Sequence, residues 1–376
     1  MIHRSLTSKI SAKLGKGKAV IIYGPRQSGK TTLIRSMLSD MKDRVLYLNG
    51  DDMDVRETLS SYSTAKLKAL AGTKTTVFID EAQRIKDIGL IIKILTDNFP
   101  EIQVIATGSS AFELKSSIKE PLTGRKYEFN LFPLSFAEMT EHHGLLDETR
   151  MTDQRLIYGY YPEIVTKPDE RRDNLKMLAD SYLYKDILSL ENIAKPHLLE
   201  KIVKALALQV GSEVSFNELA QLTGTSAPTA EKYVNLLEKA YVVFQLPAFS
   251  RNVRNEIKKS RKIFFYDNGI RNAVIGNFLP VESRSDIGAL WENYLVSERI
   301  KRNHNNTLSS DSYFWRTKQQ QEIDYIEECE GQLHAYEFKY GSRKASLPST
   351  FAQAYPGHTF QTVTRENFWE FLEHFP

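Results

Sequence analysis

The sequence predicts an α/β fold: a parallel sheet with helices on both faces, then a helix-turn-helix module and a smaller C-terminal α/β domain. Three observations predict it. The apolar run Ala19-Val20-Ile21-Ile22-Tyr23 leads into a glycine-bearing loop, Gly24 to Thr31, and then into a helix-like run from Thr32 to Leu38. Further short apolar runs alternate with helical stretches as far as Ser110, the pattern of β-α-β units and of parallel pairing. Beyond His197 a three-helix pattern gives way to strands that alternate with period two.

Size and composition frame these elements. A chain of 376 residues suits two or three domains, divided here as 1–150, 151–280 and 281–376. Apolar residues make up 41% and charged residues 26%, an ordinary globular balance, and no apolar run has the length of a bilayer span. Met1 to Leu6 lack the charged-then-apolar layout of a secretory signal, and the one cysteine, Cys329, has no partner for an internal disulfide. The expectation is a cytoplasmic protein without a membrane span. A net charge of +3 is too small to signal nucleic-acid binding, so that question turns on where the charges sit.

The loop reads as a phosphate-binding P-loop. Gly24 and Gly29 let the backbone wrap tightly, and Gly24, Pro25, Arg26, Gln27, Ser28, Gly29, Lys30, Thr31 and Thr32 would surround the phosphates of ATP with N–H groups at a helix N-terminus. Lys30 would bridge the β- and γ-phosphates, and the Thr31 hydroxyl would bind Mg²⁺. A second strand, within 44–52, and a helical stretch around Ala65 to Leu70 complete one β-α-β step. The strand Thr75-Thr76-Val77-Phe78-Ile79 then delivers Asp80 and Glu81 to its C-terminal end, where open parallel sheets bind ligands. It resembles a Walker B strand: Asp80 would hold Mg²⁺ and Glu81 would polarise the attacking water. The strand from Glu101 to Ser110 resembles the sensor strand of AAA-type ATPases, with Thr107 and Ser109 as candidates near the γ-phosphate. Arg125, in a loop after Pro121-Leu122-Thr123-Gly124, is a candidate finger acting in cis or on a neighbouring subunit, the second case implying a homo-oligomer.

In the middle, residues 174–190 read as a packing helix, and the Gly159-Tyr160-Tyr161-Pro162-Glu163 turn as structural. A helix from His197 to Val210, a Ser215…Glu218 capping pattern, a turn at Thr223 to Ser226 and a helix from Pro228 to Ala240 follow helix-turn-helix order. Two β-rich runs, 241–246 and 262–266, are joined by a segment holding Arg251, Arg254, Lys258, Lys259 and Arg261. The whole reads as a winged helix with a basic wing that would contact DNA phosphates, with Thr229, Lys232 and Asn235 facing a groove. The competing expectation is a protein-docking or purely structural module.

In the last module, Glu322-Ile323-Asp324-Tyr325-Ile326 and His334-Ala335-Tyr336-Glu337-Phe338-Lys339 both alternate. A turn centred on Glu330-Gly331 sets Asp324 opposite Glu337 and Glu322 opposite Lys339, all on one face. Cross-strand Cβ atoms stand roughly 4.5–5.5 Å apart, near enough for two carboxylates to share a divalent ion. A preceding helix, 286–301, offers Glu292 or Glu298 as a further acid.

This arrangement resembles the PD-(D/E)XK, restriction-endonuclease-like nucleases, although no Pro-Asp pair precedes Asp324. The resemblance implies Glu292 as the helix acid, Asp324 and Glu337 as ligands of a second Mg²⁺ or Mn²⁺, and Lys339 as the catalytic lysine beside Glu337. Together with the Asn130-to-Phe136 segment and the Gly159-to-Glu163 turn, these modules resemble, over nearly the full length, prokaryotic AAA-like P-loop ATPases of the STAND/ORC-related branch. Those are fused to a C-terminal domain of unknown function with a nuclease-like fold. The family implies ATP binding and hydrolysis. The expectation is an ATPase that interacts with DNA and cleaves it with a metal-dependent C-terminal domain; the alternative is a nucleotide-gated DNA- or protein-binding module whose C-terminal domain is catalytically silent.

Overall fold

The computed structural model of the chain describes residues 2–108, 122–180, 195–251 and 260–373. Ser109, Arg254, Lys258 and Lys259 lie outside the described residues. The chain divides into two compact units, Met1–Pro133 and Leu134–Pro376.

In the first unit the apolar runs become one parallel sheet: β1 (Ala19–Tyr23), β2 (Val45–Asn49), β3 (Thr76–Asp80), β4 (Gln103–Gly108) and β5 (Lys126–Asn130). The strand order is β2-β3-β4-β1-β5. Every residue of β1 and β3 is buried, as a strand covered on both faces requires. The covering helices are α1 (Leu6–Ser11), α2 (Lys30–Met37), α3 (Met53–Ser60), α4 (Thr64–Ala71) and α5 (Ile88–Asn98). In α5 the buried positions Ile88, Ile91, Ile92 and Leu95 recur at helical spacing, so one face meets the sheet. Leu6 and Ile10 of α1 join Ile22, Ile34 and Leu131 in a single apolar cluster. Full burial of such side chains contributes about 1.5–3 kcal/mol each, which fixes α1 and α2 against the sheet. Because β4 lies between β3 and β1, the C-terminal ends of three strands sit side by side.

The second unit opens with short helices, α6 (Phe136–His143), α7 (Leu145–Arg150), α8 (Thr152–Tyr158), α9 (Pro162–Thr166) and α10 (Arg171–Asp180). Ser135 and Glu138 form a reciprocal capping box that starts α6. The Gly159–Tyr160 turn is held by Asp267, whose carboxylate accepts the Tyr160 N–H at 2.7 Å; a Cβ on Gly159 would lie 2.1 Å from that carboxylate. Next come α11 (Pro196–Leu208), β6 (Glu213–Val214), α12 (Phe216–Thr223), α13 (Ala227–Lys239), β7 (Val243–Pro247), β8 (Arg261–Phe265) and α14 (Asn268–Ile275). The strands form an antiparallel sheet ordered β6-β8-β7. Ser215 accepts the Glu218 N–H and Gly224 closes α12 in the left-handed conformation, so the helix-turn-helix punctuation acts as local chemistry dictates.

The 20-residue helix α15 (Ile287–Asn306) is buried along most of its length and precedes a second sheet: β9 (Asp311–Arg316), β10 (Glu322–Cys329), β11 (Gln332–Phe338) and β12 (Thr359–Val363). The helices α16 (Ser349–Ala354) and α17 (Phe368–Glu373) complete the chain, and the sheet order is β12-β11-β10-β9. Glu330 and Gly331 both have positive φ, +51° and +83°, as a two-residue hairpin turn requires. Tyr325 pairs with Tyr336 and Ile326 with Ala335, the register set by that turn. A one-residue shift against β9 between Ile323 and Ile326 marks a bulge. It lets Ile323 and Ile326 both join the apolar cluster around Phe351, while Tyr325 meets Phe371 edge to face and Glu327 meets Arg299. No helix among the described residues is long and apolar enough to cross a membrane.

Candidate functional site

The loop after β1 is shaped by its glycines. Gly24 has φ +152°, and a Cβ there would lie 2.1 Å from the Leu131 carbonyl oxygen, so only glycine fits beside the end of β5. Gly29, at φ +93°, immediately precedes α2, and no side chain caps that helix. That end of the helix, where N–H groups and the dipole favour negative charge, adjoins the loop. Arg4 braces the loop from below: its guanidinium donates to Ser28 O and to Phe132 O, both at 2.6 Å, while the side chain is buried. Lys30 is buried with its ammonium donating to Gly24 O at 2.9 Å and Pro25 O at 2.7 Å. Ser28 Oγ is buried and has no hydrogen-bond partner among the described residues, an orphan that a phosphate oxygen would satisfy.

Asp80, at the C-terminal end of β3, gathers the neighbouring groups. Thr31 of α2 donates to its Oδ2 at 2.8 Å, Tyr47 of β2 donates to the same oxygen at 3.2 Å, and Thr107 of β4 donates to Oδ1. The Glu81 N–H donates to Oδ1 at 3.2 Å. The sheet order explains this convergence: β3 pairs with β2 on one side and β4 on the other, and β4 pairs with β1, which leads into the loop. Thr31 and Asp80 present hard oxygen donors within hydrogen-bond reach of each other, which fits Mg²⁺. Glu81 has a left-handed backbone, φ +47°, and its carboxylate accepts from the Gln83 amide at 2.6 Å.

Arg125 is placed elsewhere. Its carbonyl accepts from Ala19 N at the start of β1, and its guanidinium pairs with Asp97 at 2.5 Å. The loop follows the other end of β1, about 17 Å away at the rise of a five-residue strand. The structure does not bring Arg125 to Lys30 and Asp80 of its own chain.

Sequence reading passed over Tyr47, Arg4 and Gly50. Tyr47 sits beneath the Arg35 guanidinium, 4.6 Å from the ring centre, and burial together with the Asp80 charge pushes its pKa up. Gly50 N donates to Asp80 O at 2.8 Å, and a Cβ there would lie 2.3 Å from Glu81 O. The glycine after the apolar run of β2 was the available signal. Arg4 lies 24 residues from its partner Ser28, a separation that no local pattern spans.

The C-terminal acids form a second cluster, in the second unit. Asp324 accepts the Phe338 N–H at 2.8 Å, and Lys339 pairs with Glu337 at 2.7 Å. Glu292 on α15 pairs with Lys262 of β8 at 2.8 Å, and Glu322 pairs with the same lysine at 2.5 Å. Glu298 lies apart from this cluster, paired with Lys301 at 2.6 Å and accepting the Phe136 N–H at 2.7 Å. Burial pushes the Glu292 pKa up to about 8, with Lys262 opposing the rise and Asp324 adding to it. Burial, then the nearby Glu337, pushes Asp324 up to about 6. Burial works against the charged forms of Lys262 and Lys339, but their carboxylate neighbours hold both pKa values above the ordinary lysine value. Among the described residues, no group of three or more His, Cys, Asp or Glu side chains is placed to hold a metal. The second divalent ion expected at Glu292, Asp324 and Glu337 does not fit, because the Lys262 and Lys339 ammonium groups stand against Glu292 and Glu337.

On the DNA-facing candidates, Lys232 of α13 is exposed, Thr229 shares a hydrogen bond with Ser226 at 2.9 Å, and Asn235 accepts from Gln245 at 3.2 Å. Arg251 lies over Tyr355 and Arg261 over Phe216.

Residues 16–140 match the family described as an AAA domain. Residues 149–280 and 287–366 match two families described as domains of unknown function, DUF8612 and DUF4143. An uncharacterized protein of Mycobacterium tuberculosis is 26% identical over 356 residues, covering 92% of this chain and 75% of that one. An uncharacterized protein of Haemophilus influenzae is 25% identical over 330 residues, covering 82% and 81%. Among solved structures, the Aeropyrum pernix ORC2 protein in its ADP form superposes with a TM-score of 0.35 at 12% identity, covering 72% of this chain and 92% of that one.

Proposed function

We propose that the chain is an ATP-hydrolysing protein of the AAA type that interacts with DNA, its nucleotide site built from the P-loop, Asp80 and Glu81. The observation that carries this reading is the bond from Thr31 to Asp80, which joins the loop and the acidic strand in one site. In use, the loop N–H groups and Lys30 bind the phosphates, Lys30 leaving Gly24 O and Pro25 O to do so. Thr31 and Asp80 would hold Mg²⁺, which would supply positive charge against the phosphate oxygens. Glu81, one residue beyond the metal carboxylate, orients and deprotonates the attacking water. Thr107 and Tyr47 keep Asp80 oriented.

ATP turnover by the purified full chain tests this. Glu81→Gln is expected to retain ATP binding and lose turnover by about 10²–10⁴-fold, and Lys30→Ala to lose binding. Unchanged turnover in Glu81→Gln sinks the assignment.

The DNA reading is supported by the helix-turn-helix order within a winged arrangement, three helices followed by an antiparallel sheet, with Lys232 exposed on the last helix. Anisotropy of a labelled duplex, weakened by salt and by Lys232→Glu, is the expected result. For the C-terminal hairpin, docking is favoured over cleavage, because Lys262 and Lys339 occupy its carboxylates. Mn²⁺- or Mg²⁺-dependent cleavage by the full chain that vanishes in Asp324→Ala would reverse that preference.

A further inference from the structure

We propose that the ammonium group of Lys262 is the permanent cation of the C-terminal acidic cluster, seated where a divalent ion would have to sit and making the cluster a metal-independent clamp. The proposal rests on the docking reading of the hairpin. Lys262 precedes Ile263, Phe264 and Phe265 in β8, and its side chain is 2% exposed. A lysine is buried to that extent only when its charge is matched. Here Nζ lies 2.8 Å from Glu292 Oε1 and 2.5 Å from Glu322 Oε1, so one ammonium ties β8 to both α15 and β10. Asp324, two residues along β10 from Glu322, adds its field to the same ammonium.

The surroundings confirm that the positive charge is built in. Lys262 Nζ sits 5.4 Å from the centre of the Phe314 ring, an apolar wall that keeps the charge on its carboxylates. Arg316 closes the outer side, with Nη1 3.1 Å from Glu213 and Nε 3.8 Å from Glu322. At the rim, Lys339 holds Glu337 at 2.7 Å. A divalent ion needs several oxygens at about 2.0–2.6 Å, and ligands drawn in from Glu292, Asp324 and Glu337 would set that ion against two ammonium groups. Like charges at such range repel strongly in a site shielded from water. Removal of Lys262, and not of any acid, is what would open the cluster to a metal.

The test is Mn²⁺ binding to the nucleotide-free full chain, followed by the electron paramagnetic resonance signal of free Mn²⁺. Wild type and Asp324→Asn are read first, since both keep the lysine; identical binding is expected, because no ion uses Asp324. Lys262→Met is expected to gain one site at least tenfold tighter than any in this cluster of the wild type, lost again in Lys262→Met/Asp324→Asn. Loss of a wild-type Mn²⁺ site in Asp324→Asn overturns the proposal, as does a folded Lys262→Met variant that gains none. Mn²⁺ bound through Asp324 without DNA cleavage would defeat the lysine assignment alone. Metal-dependent cleavage lost in Asp324→Ala would defeat the docking reading with it.

Discussion

The Asp80 carboxylate takes hydrogen bonds from three hydroxyls and the Glu81 N–H. Two residues outside the motif hold that geometry. Arg4 donates to two backbone carbonyls from a buried position, and its loss leaves both without that donor, at about 1–3 kcal/mol apiece. Arg4→Ala is therefore expected to lower the stability of the first unit by roughly 2–6 kcal/mol in urea unfolding and to weaken binding of a non-hydrolysable ATP analogue. Arg4→Lys restores little, because a single ammonium cannot span both carbonyls as the planar fork does. Gly50 gives a second test. Its missing Cβ leaves room for the Glu81 carbonyl, so Gly50→Ala must move the backbone of the residue proposed to activate water. Turnover is expected to fall more than ATP affinity, with a stability loss of about 1–3 kcal/mol. Equal losses in both would show that the clash spreads through the whole loop.

At the scale of elements, α15, β8 and β10 meet at charged groups whose protonation couples to folding. Glu292 faces Lys262, Glu322 and Asp324, and its folded pKa of about 8 lies above the ordinary carboxylate value. A folded state that binds more protons than the unfolded state loses stability as pH rises through the interval between the two pKa values. The second unit is thus expected to lose on the order of 1–3 kcal/mol between pH 5 and 8, the figure discounted because the Glu292 side chain keeps 15% exposure. Thermal melts across that range should show the slope, and Glu292→Gln should flatten it. These elements also show what a sequence discloses. The β1 loop and β3 acids were legible because their chemistry is written in consecutive residues, and Thr107 because the apolar run before it marks a strand. The β10–β11 register followed from one turn. Lys262 was not legible: it read as the first residue of a β-rich run, 262–266, and only the packing of α15 against β8 shows that it points inward to Glu292. Arg4 and Gly50 escaped for the same reason, since their partners come from distant parts of the chain.

At the scale of the whole molecule, Arg125 stands at the end of β1 remote from the loop, so any finger role belongs to an assembly of chains. Turnover per chain that rises with protein concentration, and an Arg125→Ala defect seen only at high concentration, is the expected pattern for that role. A defect independent of concentration would trace to the lost Asp97 pair instead. The second unit has its own organising member in α15. Asn293 bonds the backbone of Phe265 in both directions, Glu292 holds Lys262, Glu298 holds the start of α6, and Arg299 holds Glu327 of β10. A single helix thus supplies partners to pieces of chain more than 160 residues apart. A fragment ended at residue 280 would keep every residue of the helix-turn-helix module, yet leave Lys262 without Glu292 and Glu322 and the β8 backbone without Asn293. Limited proteolysis of the intact protein should accordingly meet resistance across residues 260–306, and the middle third made alone should associate through its stripped strand edge.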